Sequence, residues 1–188
     1  MKTLKISTFL ILMVFLNGTL FAQNKFELGV NGGLTMPTGN LGDAFNVSFN
    51  AGAEGVMLID GTNAAYLDLS YNHLSPKGVV SSNESYSITE ISGGYRRNLT
   101  TFGAVGNNKL FLDLGAGMYS TKYAYTAGNG NTLSVSSSDF GINFGLGASF
   151  PLGSSSDILT RLKFHNIFTD GSNTNYFILG VGINFDLN

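Results

Sequence analysis

Residues 177–187 read Phe-Ile-Leu-Gly-Val-Gly-Ile-Asn-Phe-Asp-Leu. Phe177, Leu179, Val181, Ile183, Phe185 and Leu187 place an apolar side chain at every second position. Between them stand Ile178, Gly180, Gly182, Asn184 and Asp186, mostly small or polar. Successive side chains leave a strand on opposite faces, so a period of two predicts a strand with one greasy face and one small, polar face.

Working backwards, the same alternation recurs over 158–168, 139–150, 110–119, 89–96, 65–72, 47–54 and 26–34. The 158–168 segment is the least regular: Ile158, Leu162, Phe164 and Phe168 oppose Arg161, Lys163 and His165. That makes eight segments, each near the roughly 9–11 residues a tilted strand needs to cross a bilayer. The connections at 60–63 and 151–157 are short. Those at 36–46, 75–85 and 121–134 are longer and rich in Gly, Asn and Ser, while 100–108 and 169–173 break the long-short rhythm. The fold expected is all-β, an eight-stranded antiparallel up-and-down transmembrane β-barrel.

Periodicity does not say which face is the inside. A soluble lipocalin-like barrel around an apolar ligand would turn the greasy faces inward. Composition favours the opposite arrangement. Charged residues make up 12% of the chain, against about 25–35% on a typical soluble surface. The non-apolar faces carry Gly, Ser and Asn, as a crowded barrel interior requires.

Lys2 and Lys5, then an apolar run over 6–16, then Leu20-Phe21-Ala22, have the layout of an export signal cleaved after Ala22. Residues 1–22 are therefore expected to be a signal peptide and 23–188 one barrel domain in the outer membrane. The 12 acidic side chains outnumber the 10 basic ones, two of which lie in that leader, so no nucleic-acid partner is expected. There is no cysteine, hence no disulfide and no thiolate metal site.

Four stretches carry a family likeness: Phe26-Glu-Leu-Gly-Val-Asn-Gly-Gly-Leu34, Ser92-Gly-Gly-Tyr-Arg-Arg-Asn98, Leu112-Asp-Leu-Gly-Ala-Gly-Met118 and Leu179-Gly-Val-Gly-Ile-Asn-Phe185. In them the chain resembles the small outer-membrane β-barrel proteins of Gram-negative bacteria. The resemblance implies an eight-stranded up-and-down barrel inserted by the barrel assembly machinery, and the chain is expected to be a monomer in outer-membrane lipid. Such chains commonly end on an aromatic residue, whereas here Asp186, Leu187 and Asn188 follow Phe185. The family is functionally mixed. The roles it leaves open are envelope structure, contact with an extracellular ligand through the loops, and limited passage of small solutes.

Strand parity sends Glu27, Glu54, Asp68, Glu90, Arg96, Asp113, Arg161 and Lys163 into the interior. An eight-stranded barrel has just enough room inside for side chains. Charges there must pair, because an isolated buried charge is very costly. The expectation is a salt-bridge network that fixes register, with a gated polar path as the alternative.

His165 sits one strand before the C-terminus, a placement similar to that of the active histidine of outer-membrane lipid A 3-O-deacylases. Those enzymes carry a serine nucleophile two residues on; here that position is Ile167, and Ser172 lies too far along. A serine hydrolase needs its hydroxyl within reach of the base, so no catalytic residue, metal site or cofactor is expected. The Gly-x-Gly pairs at 115/117, 145/147 and 180/182 lie mid-strand, without the helix that a dinucleotide loop requires. They are read as room for bulky interior neighbours such as Tyr119. His73 is read as an interfacial residue. Tyr71, Tyr95, Phe150 and Phe168 are assigned to aromatic rims, with Tyr176 as a further candidate despite its interior parity.

Overall fold

The computed structural model describes residues 25–78, 84–103, 107–126 and 130–187. The expected leader and the middle of the 75–85 connection lie outside the described residues. Eight strands form: β1 (Phe26–Thr38), β2 (Ser48–Leu58), β3 (Asn63–Leu74), β4 (Glu84–Phe102), β5 (Asn108–Thr126), β6 (Thr132–Pro151), β7 (Ser156–Ile167) and β8 (Thr174–Asp186). Each pairs antiparallel with the next, and β8 returns to β1, so the sheet closes with no edge at the level of the belt. One short helix, α1 (Gly39–Ala44), follows β1.

The register aligns the faces level by level. Val30, Ala53, Leu69, Ile91, Met118 and Phe140 stand side by side around the outside. Leu28, Val30, Leu67, Ile91, Leu114, Phe144, Leu179 and Val181 are all exposed there, while Glu54, Asp68, Arg96, Asp113, Arg161 and Lys163 are buried inside. Apolar residues out and charges in is the arrangement for a hydrocarbon solvent. It removes the soluble alternative, which required the reverse. The irregular look of β7 has a simple source: Thr160 and Asn166 fill outward positions.

Three connections differ from expectation. The 100–108 stretch is strand at both of its ends, since β4 runs to Phe102 and β5 starts at Asn108; a register shift between Asn98 and Thr100 accommodates Leu99. The 36–46 stretch contains α1 and is tied to the next connection, with Asn46 N–H donating to the Ser75 carbonyl and Lys77 N–H to that of Ala44. Within the 121–134 stretch, β5 continues to Thr126 and β6 begins at Thr132, and the two stay paired to that level.

That continuation has an inverted pattern. Below Met118 and Phe140 the outward residues of β5 and β6 are apolar; above them they are Ser120, Lys122, Ala124, Ser134, Ser136 and Ser138. The inward residues change in the opposite sense, to Tyr123, Tyr125, Leu133 and Val135. On β4 the switch falls at the same level, where Ile88 and Tyr86 turn inward beyond Glu90. An apolar outer face is useful only against lipid, so the inversion marks the top of the hydrocarbon belt. The β5–β6 hairpin rises beyond it, at the end opposite both termini.

Tight turns close the other end. At Asp60, one carboxylate oxygen accepts from Thr62 N–H (2.7 Å), Thr62 Oγ1 (2.9 Å) and Asn63 N–H (2.8 Å), and the other accepts from Asn63 Nδ2 (2.7 Å). Those bonds, the one from the Asn63 side chain foremost, hold the Asp60 carboxyl down at about 2.

Candidate functional site: the charged interior

The candidate site is the lumen, and it is built from strand parity. Alternate positions on β2, β3, β4, β5 and β7 project Glu54, Asp68, Arg96, Asp113, Arg161 and Lys163 to the barrel axis. Arg96 forks onto Asp113 (Nε to Oδ1 2.8 Å, Nη2 to Oδ2 3.0 Å) and reaches Glu54 with both terminal nitrogens at 3.2 Å. Arg161 joins Glu54 at 2.6 Å and Asp68 at 3.2 Å, and Lys163 completes the chain onto Asp68 at 2.8 Å. Three cations meet three anions, so the network is neutral. Its partners are separated by up to 107 positions in sequence.

Aromatic rings fill the space between the charges. The Arg96 guanidinium carbon lies 4.2 Å from the Phe111 ring centre and 5.7 Å from that of Tyr66; Lys163 Nζ lies 4.8 Å from Tyr66. Cations favour such positions over the negative face of a ring. Tyr66 and Phe111 fit because small residues oppose them. A Cβ added at Gly115 would stand 2.4 Å from the Tyr66 hydroxyl, and one at Gly147 would stand 2.3 Å from Phe111 Cζ. Gly115 and Gly147, one member of each of two Gly-x-Gly pairs, therefore make room for interior rings, and Gly141 does the same for Tyr119; Gly180 and Gly182 meet no ring.

Two of the eight expected charges stand apart from the network. Glu27 sits at the terminal end and reaches it only through Asn184, whose Nδ2 lies 3.1 Å from Glu27 and 3.2 Å from Glu54. Glu90 has a separate set of partners nearer the opposite mouth: Ser92 (2.6 Å), Ser70 (3.1 Å), Tyr119 (3.2 Å) and Asn143 (3.3 Å). His165 belongs to this second set, 3.4 Å from Glu90 and 3.2 Å from the Tyr119 hydroxyl. Tyr176 stacks on the His165 ring at 4.6 Å and is fully buried, so it is an interior residue and not part of an aromatic rim. Its parity on β8 was the signal for this.

His165 is enclosed on every side, with Ile167 buried next along the same face and Ser172 out in the exposed connection after β7. Among the described residues, its side-chain partners are Tyr119 and Glu90, and no serine hydroxyl is hydrogen-bonded to it. His73 faces outward near the mouth and packs against Phe49, ring centres 5.2 Å apart. Above Glu90 the lumen holds a buried apolar cluster beside a hydrogen-bonded pair, Thr35 Oγ1 donating to Asn72 Oδ1 at 2.9 Å. Leu74, Ile88, Tyr119, Ile167, Tyr176 and Ile178 form a buried cluster, capped by Leu41 of α1, Phe45 and Tyr86. Two small spaces lie among these side chains: about 30 Å³ beside Glu27, Arg96 and Lys109, and about 10 Å³ beside Glu54 and Arg161.

No protein-family model matches the chain, and no curated protein is similar to it. Solved structures are. Neisserial surface protein A superposes with a TM-score of 0.61 at 14% identity, over 85% of this chain and 96% of its own. A major outer membrane protein from Thermus thermophilus gives 0.66 at 13% identity, over 87% and 99%. The N-terminal β-barrel domain of Pseudomonas aeruginosa OprF gives 0.51 at 13%, over 88% and 100%. At these identities the likeness concerns the fold. The fold is that of the small eight-stranded outer-membrane β-barrels, with the apolar belt turned to lipid.

Proposed function

We propose that the chain is a sealed outer-membrane barrel that anchors the β4–β6 extension at the cell surface, a structural and surface-contact role without catalysis or solute passage. The observation that carries this reading is the filled lumen. A neutral six-charge network, two interposed rings and an apolar cluster occupy it, and the space beside Glu27, Arg96 and Lys109, about 30 Å³, has room for little more than a water. A conducting path would require several of these ion pairs to part at once, each separation leaving a buried charge alone. An extracellular position for the extension is supported by the short turns at 59–62 and 152–155 near the termini and the longer strands at the opposite end, the usual layout of such barrels.

In this reading the chain is a monomer in outer-membrane lipid, inserted by the barrel assembly machinery, and any extracellular ligand meets the extension. Purified protein in planar lipid bilayers should give no discrete conductance steps at neutral pH. Regular single-channel openings in the unmodified protein would rule the sealed barrel out.

A further inference from the structure

The barrel closes at the level of the belt, but the extension does not. β5 is flanked by β4 up to Glu84 and by β6 up to Thr132. The other side of β6 pairs with β7 only from Gly141 onward. Phe168 N–H donates one further bond, 2.9 Å, to the Phe140 carbonyl. Among the described residues no strand lies beside 133–139 on that side.

The direction of the open groups follows from the Phe140 bond. A residue in a strand aims its N–H and C=O to the same side, and the next residue aims its pair to the other. Phe140 faces β7, so Ser138, Ser136 and Ser134 aim theirs at the vacant side, while Leu133, Val135, Ser137 and Asp139 bond to β5. Strand edges are usually blunted by lysine, proline or a bulge. Residues 133–139, Leu-Ser-Val-Ser-Ser-Ser-Asp, contain neither residue type and keep an unbroken register with β5. The face that looks over the mouth is apolar next to this edge, with Leu133 68% and Val135 72% exposed beside Tyr123 and Tyr125.

We propose that the β6 edge over 133–139 takes up an extended segment of another polypeptide as an added strand. Its main chain bonds to Ser134, Ser136 and Ser138, and its alternate apolar side chains extend the Leu133–Val135 strip. Main-chain bonds supply affinity in this mode, and alternate side chains supply selectivity. A second copy of this chain fits less well. Two barrels in one membrane are related by an axis along the membrane normal, which runs their β6 strands parallel and puts the two apolar strips on opposite faces. The proposal depends on the surface-contact reading but not on the lumen being sealed, so conductance and edge binding fail separately.

The test uses the whole folded protein in lipid nanodiscs. The probe is an eight-residue peptide of alternating valine and threonine with a lysine at each end, together with a version N-methylated at every second amide. Added peptide should slow hydrogen exchange at the amides of Ser134, Ser136 and Ser138 and leave Leu133 and Val135 unchanged. The N-methylated peptide should give no such protection. Ser136→Pro removes the central N–H on the open side only and should weaken peptide binding roughly tenfold. Ser136→Ala should bind as the parent does, and heat-dependent gel mobility should show both variants folded. Unchanged exchange at the three serines, or equal binding by a folded Ser136→Pro protein, overturns the proposal. So does protection of the three amides without peptide in a protein that sediments as a dimer, which would assign the edge to a second copy.

Discussion

Arg96 is the residue on which most of the interior depends, since it binds Asp113 through two bonds and Glu54 through two more while lying against Phe111. Arg96→Met leaves both carboxylates short of a partner and is expected to cost about 3–5 kcal/mol in urea unfolding from micelles. Adding Asp113→Leu restores charge balance, so the double variant should be more stable than Arg96→Met alone. If the double variant is the weaker, the network is not held by pairing. Asp60 offers a test outside the membrane. Its carboxyl titrates near 2 when folded, below the ordinary 3.8. The bonds to Thr62 and Asn63 therefore favour the folded turn at neutral pH, and that contribution fades as pH falls from about 4. An NMR titration of the Asp60 side chain should find its midpoint near 2, and Asn63→Ala should move it upward.

At the scale of the strand, parity was legible before any coordinates. The eight charges written into the interior all have inward positions, and Phe177 to Phe185 faces lipid in alternate steps. Parity could not say which charges meet, because that depends on stagger around the barrel. Glu90 therefore joins His165 and Tyr119, and not the arginines. The extension was missed for a related reason. Residues 121–125 and 133–138 lack an apolar outer face, and without lipid to face a strand looks like a loop, although the period of two persists with its polarity reversed. The two halves of β5 and β6 should respond differently to the same substitution. Leu114→Arg places a charge in the belt and is expected to cost about 2–4 kcal/mol. Leu133→Arg, above the belt, should leave unfolding within about 0.5 kcal/mol of the parent. Equal costs would contradict the position of the boundary.

At the scale of the molecule, one sequence serves two solvents. The belt exposes apolar side chains because lipid surrounds it, and the lumen holds charges because they pair across the axis. Above the rim the surface turns to serine and lysine because water returns. The most direct check of this arrangement is a spin-label scan of the outward positions of β5, from Leu110 through Ala124 in steps of two, in lipid bilayers. The chain has no cysteine of its own, so each site is labelled singly. Collision with oxygen should dominate at Leu110, Leu112, Leu114, Ala116 and Met118, and collision with a water-soluble nickel complex should take over at Ser120, Lys122 and Ala124. Nickel access at Leu112 through Ala116, or oxygen dominance persisting to Ala124, would contradict it.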